Sequence, residues 1–242
     1  MLGFKDVPKK DRVIVALDCP YDEAIEIGKS LAGHASWVKV GMTLFYAHGP
    51  QVVRDFKDMG FNVFLDLKLH DIPFQIEGAA ASAAKSGADM LTLHCSGGQK
   101  MLESGQAGVE KVALERGCDP AITLGITVLT SMDDAALSQI GIDRTPAEQV
   151  ELLAGVAKAS GISGVVCSPQ EAQAMRAFLG EDAYIVTPGV RPAGADIGDQ
   201  SRIATPSKAF DAGASHIVVG RPITKAEDPL AAFIAIADEL AD

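Results

Sequence analysis

Strand-like and helix-like runs alternate eight times along these 242 residues, and no Pro/Gly/Ser-rich linker, charge block or low-complexity tract interrupts them. The short apolar runs are Val13–Leu17, Trp37–Val40, Val63–Leu67, Met90–Leu93, Ile122–Val128, Gly164–Cys167, Tyr184–Val186 and His216–Val219. The helical stretches that follow them are Asp22–Leu31, Pro50–Met59, Gln75–Lys85, Lys100–Arg116, Pro146–Ser160, Pro169–Leu179, Ile203–Ala212 and Pro229–Leu240. Eight such units in roughly 250 residues predict an α/β chain closed into a (β/α)8 TIM barrel, one domain over residues 1–242. Gly60, Gly87, Gly161 and Gly213 each precede a strand, where a helix must stop and the chain reverse. An open doubly wound sheet with a dinucleotide is disfavoured: the first strand ends in Asp18-Cys19-Pro20, with no Gly-x-Gly-x-x-Gly after it.

Composition narrows the partners. A formal net charge of -11 argues against a nucleic-acid backbone but leaves room for a local basic pocket around a small anion. No apolar stretch approaches the roughly 18 residues of a membrane helix, and the polar start Met1 to Arg12 lacks a secretory core, so a cytoplasmic location is expected. Cys19, Cys95, Cys118 and Cys167 are widely spaced and form no Cys-x-x-Cys pair, which predicts reduced thiols rather than disulfides or a zinc site.

Against that background, Val63-Phe64-Leu65-Asp66-Leu67-Lys68-Leu69-His70-Asp71-Ile72-Pro73 stands out, because charges run out of a strand that otherwise reads as buried. Burying charge is costly unless it is paired. The period of two puts Asp66 and Lys68 on one strand face, and Asp71 just beyond predicts a charged triplet in one pocket. Other polar residues fall at strand ends, where barrel enzymes assemble their sites: Asp18, Lys39 in the last part of strand two, His94, Thr130, Ser131, Arg191 and Gly220-Arg221. Barrels often hold phosphate after strands seven and eight, and here the Gly-rich run Thr187 to Gln200 reads as a lid, with Gly220 and the Arg221 guanidinium beside it.

The ordered set Asp66-x-Lys68-x-x-Asp71-Ile72-Pro73, Val128-Leu129-Thr130-Ser131-Met132, Pro188-Gly189-Val190-Arg191-Pro192 and Gly220-Arg221 resembles bacterial-type orotidine 5'-monophosphate decarboxylases over nearly the whole chain. The resemblance implies decarboxylation of orotidine 5'-monophosphate to UMP without a cofactor or metal, by a homodimer whose sites are shared. It implies that Asp18 and Lys39 bind the ribose hydroxyls, Lys39 also ordering the charges, and that Asp66, Lys68 and a neighbouring subunit's Asp71 surround C6 of the pyrimidine. Ile72 would come from that neighbour too. Thr130, and Ser131 beside it, would read the pyrimidine edge, while Arg191, Gln200, Gly220 and Arg221 would hold the 5'-phosphate. Gln75 stands where many relatives are expected to carry Thr, although an amide can still bond a ribose hydroxyl.

The residue types suit that chemistry. Loss of carbon dioxide from a ring carbon with no adjacent electron sink leaves a carbanion that needs a fixed cation and a proton, and an ammonium supplies both. Two flanking carboxylates would favour the charged form of Lys68, which argues against a Schiff-base aldolase. A magnesium-dependent sugar-phosphate relative would need an acidic group on strand two, where this chain has Lys39. A non-catalytic nucleotide binder would leave Lys68 without a reason. His34 and His48 read as helix borders, His216 as a strand residue satisfied by a backbone partner, and His70 and His94 as structural neighbours of the site.

Overall fold

The computed structural model describes residues 3–192 and 204–240, and within them eight parallel strands close into a barrel in the order β1 to β8. In chain order the elements are β1 (Val13–Ala16), α1 (Tyr21–Leu31), β2 (Trp37–Gly41), α2 (Met42–His48), α3 (Gln51–Asp58), β3 (Asn62–Leu69), α4 (Pro73–Ser86) and β4 (Met90–His94). They continue with α5 (Gln99–Arg116), β5 (Ile122–Ile126), α6 (Asp134–Gln139), α7 (Pro146–Ala159), β6 (Gly164–Val166), α8 (Ala172–Leu179), β7 (Tyr184–Thr187), α9 (Pro206–Asp211), β8 (His216–Val219), α10 (Arg221–Thr224) and α11 (Pro229–Glu239). All eight predicted strands are present. β5 stops at Ile126 rather than Val128, α8 begins at Ala172 rather than Pro169, and α2, α6 and α10 are additional short helices in the loops.

Strands covered on both faces read as continuous apolar runs because each residue parity has its own layer to fill. Outward-facing Val13, Val15, Val38, Val40, Val63 and Leu65 pack against the helices in one large cluster. Inward-facing Ile14, Ala16, Trp37, Phe64, Met90, Ile122, Leu124, Val186 and Val218 fill the barrel itself. Helix starts are locally determined: Thr145, Thr205 and Asp228 each accept a backbone N–H with their side chain, and each is followed by Pro at the first helical position. The four predicted turn glycines, Gly60, Gly87, Gly161 and Gly213, all have positive φ.

One end of the barrel is plugged. Two short 3-10 turns, Phe4–Asp6 and Lys9–Arg12, precede β1. The Phe4 ring meets Tyr184 at 5.2 Å, and His216 lies between Tyr184 at 5.7 Å and Trp37 at 5.5 Å between ring centroids. His216 is 3% exposed, and its ring nitrogen Nδ1 lies 3.2 Å from the Ser215 hydroxyl, a side-chain partner rather than the backbone group expected from sequence. Burial, with the Arg12 charge adding to it, pulls the His216 pKa down to about 3. Among the described residues no helix is long and apolar enough to cross a membrane.

Candidate active site

The opposite end, where the strand C-termini lie, opens into a cavity of about 530 Å³. Its deep wall is apolar, made by Ala16, Phe64, Ile126, Val166 and Val218, and its charged residues come from several strand ends. Asp18, Lys39, Asp66, Lys68, Thr130, Arg191, Gly220 and Arg221, all expected from sequence, line this one cavity.

Four of them form a continuous array. Lys39 Nζ donates to Asp18 Oδ1 at 2.9 Å and stands 3.8 Å from Asp66 Oδ2, while Lys68 Nζ is 2.9 Å from both Asp66 oxygens. Two carboxylates and two ammonium groups therefore share the pocket with formal charges that cancel. Burial alone would push the Asp66 carboxyl up, but the charges of Lys39 and Lys68, with hydrogen bonds from Lys68 and Thr92, hold it below the ordinary value. Asp66 is therefore an anion at neutral pH although its side chain is only 13% exposed. Lys39 sits at the middle of β2 rather than near its end, and its side chain spans the distance to both carboxylates.

β2 makes room for this array at Gly41, which sequence reasoning overlooked. A Cβ on Gly41 would lie 2.7 Å from Asp18 Oδ1 and 3.2 Å from Lys39 Nζ, so the ion pair occupies the volume of a missing side chain. Alternation along β2 puts Gly41 on the inward parity of Trp37 and Lys39, the signal that was available. Gly220 differs: a Cβ there would meet Ala16 at an ordinary 3.5 Å, so protein packing does not require glycine.

The expected triplet is not completed within one chain. Asp71 is exposed and absent from the cavity wall, and its Oδ1 accepts the backbone N–H of Ile72 at 2.6 Å. The strand period that carries Asp66 and Lys68 inward ends at Leu69, and the chain then turns outward. Ile72 is 63% exposed and Gln75, in the first turn of α4, also faces out. Ser131 is exposed and does not line the cavity, unlike its neighbour Thr130. Gln200 and most of the expected lid fall outside the described residues.

Residues 11–236 match the orotidine 5'-phosphate decarboxylase / HUMPS family. The chain belongs to that family. It is 50% identical over 236 residues to an orotidine 5'-phosphate decarboxylase of Halorhodospira halophila, covering 97% of this chain and 98% of the relative. A Marinomonas orotidine 5'-phosphate decarboxylase is 46% identical over 220 residues, covering 90% and 92%. The fold is similar to the crystal structure of orotidine 5'-phosphate decarboxylase from Lactobacillus acidophilus, with a TM-score of 0.85 and 40% identity over 96% of this chain and all of that one.

In this member of the orotidine 5'-phosphate decarboxylase / HUMPS family the histidines stand beside the array without joining it. His94, at the end of β4, stacks on His70 at 5.2 Å and lies 2.8 Å from Ser96 Oγ through Nδ1. Burial and the neighbouring His70 and Lys68 hold its pKa below the ordinary value, favouring a neutral ring at pH 7. Cys95 and Cys167 are buried at strand ends, and burial pushes the Cys95 thiol up to about 12, far from a reactive thiolate.

Proposed function

We propose that the chain decarboxylates orotidine 5'-monophosphate to UMP and carbon dioxide, the last step of de novo pyrimidine nucleotide synthesis, without a metal or cofactor. The observation that carries this reading is the Lys68 ammonium held by both Asp66 oxygens at 2.9 Å, in a cavity that also contains Arg191 and Arg221. The apolar wall suits the faces of a pyrimidine, the Asp18–Lys39 pair suits ribose hydroxyls, and the guanidinium of Arg221 matches a phosphate bidentately. Thr130 stands ready for the polar pyrimidine edge.

The C6–carboxylate bond breaks with its electron pair left on C6, carbon dioxide departs, and Lys68 Nζ delivers a proton to C6. The amine left behind regains its proton from solvent. Before bond cleavage the ammonium faces a carboxylate, and afterwards a localised carbanion, so its field is worth more as charge concentrates on carbon. Binding of the remote phosphate helps to orient the ring against it.

In this reading the working unit is a homodimer. Asp71 faces outward at the start of an exposed segment in which Ile72 is 63% and Phe74 80% exposed, and large apolar side chains exposed this close together in sequence fit a protein contact. A partner chain contributing Asp71, Ile72 and Gln75 would supply the second carboxylate that the cavity lacks. The charged array would then change from neutral to a net charge of minus one before the substrate enters.

A magnesium-dependent sugar-phosphate reaction is less well served. The Lys39 ammonium lies 2.9 Å from Asp18 and 3.8 Å from Asp66, and a divalent cation at those oxygens would have to displace it. The test is the ultraviolet assay for loss of orotidine 5'-monophosphate, with and without exhaustive chelation. Equal turnover in both is expected; abolition by chelator with rescue by magnesium overturns the metal-free mechanism, and no turnover in either overturns the substrate.

A further inference from the structure

We propose that Thr92, a residue outside the cavity, is a positioning residue that holds Lys68 in its working geometry; the inference rests on the decarboxylase reading above. It begins with an irregularity in the sheet. β3 and β4 pair as Leu65↔Leu91 and then Leu69↔Leu93, so β3 advances four residues while β4 advances two. Asp66, Leu67 and Lys68 thus all face the single residue Thr92. The excess is an even number, so the alternation of inward and outward side chains survives, and Phe64, Asp66 and Lys68 all reach the cavity.

The bulge has a local conformational cost. Lys68 is the one non-glycine among the described residues with positive φ, at +50°, where the Cβ crowds the following carbonyl. A regular parallel ladder would give the Lys68 N–H a backbone carbonyl on the next strand. Here it donates to Thr92 Oγ1 at 2.8 Å. The same hydroxyl donates its proton to Asp66 Oδ1 at 3.0 Å, and that oxygen also accepts from Lys68 Nζ at 2.9 Å. The result is a closed ring of hydrogen bonds, in which one hydroxyl fixes the main chain of Lys68 and the carboxylate that grips the far end of its side chain.

Thr92 is fully buried and contributes nothing to the cavity wall, so it cannot touch a ligand directly. Its effect must pass through Lys68 and Asp66. Valine has the same shape but no hydroxyl. Thr92→Val would leave the Lys68 N–H without its acceptor and Asp66 without one donor, and the strained φ would lose one of the contacts that maintain it.

Thr92→Val should lower kcat by about 30- to 100-fold, the scale set by misplacing a reacting group by about 1 Å. KM and the affinity for UMP should stay within about threefold, because the phosphate and ribose contacts are made by other residues. Thr92→Ser, which keeps the hydroxyl, should recover kcat to within about threefold of the parent, and Thr92→Ala serves if the valine protein does not fold. A hydroxyl-free variant with kcat within about threefold of the parent, or a serine variant as slow as the valine one, overturns the proposal. A second arm needs no substrate: amide hydrogen exchange at Lys68 should accelerate in Thr92→Val while neighbouring β3 amides keep their protection. Were the parent inactive on orotidine 5'-monophosphate, the functional reading would fall, and unchanged Lys68 exchange would separately overturn the positioning role.

Discussion

His216 should make the stability of the whole barrel depend on pH through a single buried ring. Its pKa is near 3 in the folded chain, whereas an unfolded histidine titrates near 6.5. Between those values the unfolded state binds a proton that the folded state refuses, so stability rises with pH across the window. The contribution is fully present above about 6.5 and is lost as pH falls towards 3. Each unit of difference is worth about 1.4 kcal/mol, so moving from pH 7 to pH 5 should cost about 2 kcal/mol from this group alone. The ring is 3% exposed, so solvent screening removes little of that. Urea denaturation of the parent and of His216→Phe at both pH values isolates the effect as a difference of differences. The phenylalanine protein can be more or less stable overall, but its loss on acidification should be smaller than the parent's by about 2 kcal/mol. Equal losses in the two proteins would show that His216 is not held neutral.

Other expectations concern the cavity and its completion. Mixing inactive Lys68→Ala with inactive Asp71→Asn protein should restore activity, because a mixed dimer rebuilds one intact site; no recovery despite demonstrated subunit exchange refutes the shared site. Arg221→Ala should reduce transition-state stabilisation by about 2 to 5 kcal/mol, partly restored by added guanidinium, and an unchanged kcat/KM would place the phosphate elsewhere. Gly41→Ala should weaken UMP binding about tenfold by displacing Asp18, as expected for disturbing a hydrogen bond to a charged group. Its φ of −88° is open to alanine, so the melting temperature should hardly move; unaltered UMP affinity in calorimetry would contradict the reasoning.

Much of this was legible in the residues. The eight apolar runs announced the strands, since a doubly covered strand has to be apolar on both parities, and the charged residues at their ends announced the cavity. Asp66 and Lys68 were placed on one face correctly because the β3 bulge adds an even number of residues and leaves the parity intact. The same evenness hid the bulge, and with it the meeting of Thr92 and Lys68. The strand period alone could not place Asp71, because a period of two has no authority once the strand ends at Leu69; only the resemblance assigned it to a neighbouring subunit. Helix α2 escaped notice because it begins directly at the end of β2, with Gly41 as an N-cap that offers no side-chain acceptor. Helix α6 did carry a signal, since Asp133 accepts the Ala136 N–H, but six residues are too few for a helical period to show.

The plug of Phe4, Tyr184, His216 and Trp37 fills the end of the barrel away from the cavity, and that bears on traffic. In the decarboxylase reading, a nucleotide would enter at the strand C-termini, where the cavity lies. A small gas molecule released deeper in would then share its exit with the larger product, escaping past it or waiting for it to leave. In that reading the exits of the two products are coupled by architecture rather than by any residue that touches both, and the floor of the barrel lies away from their shared path.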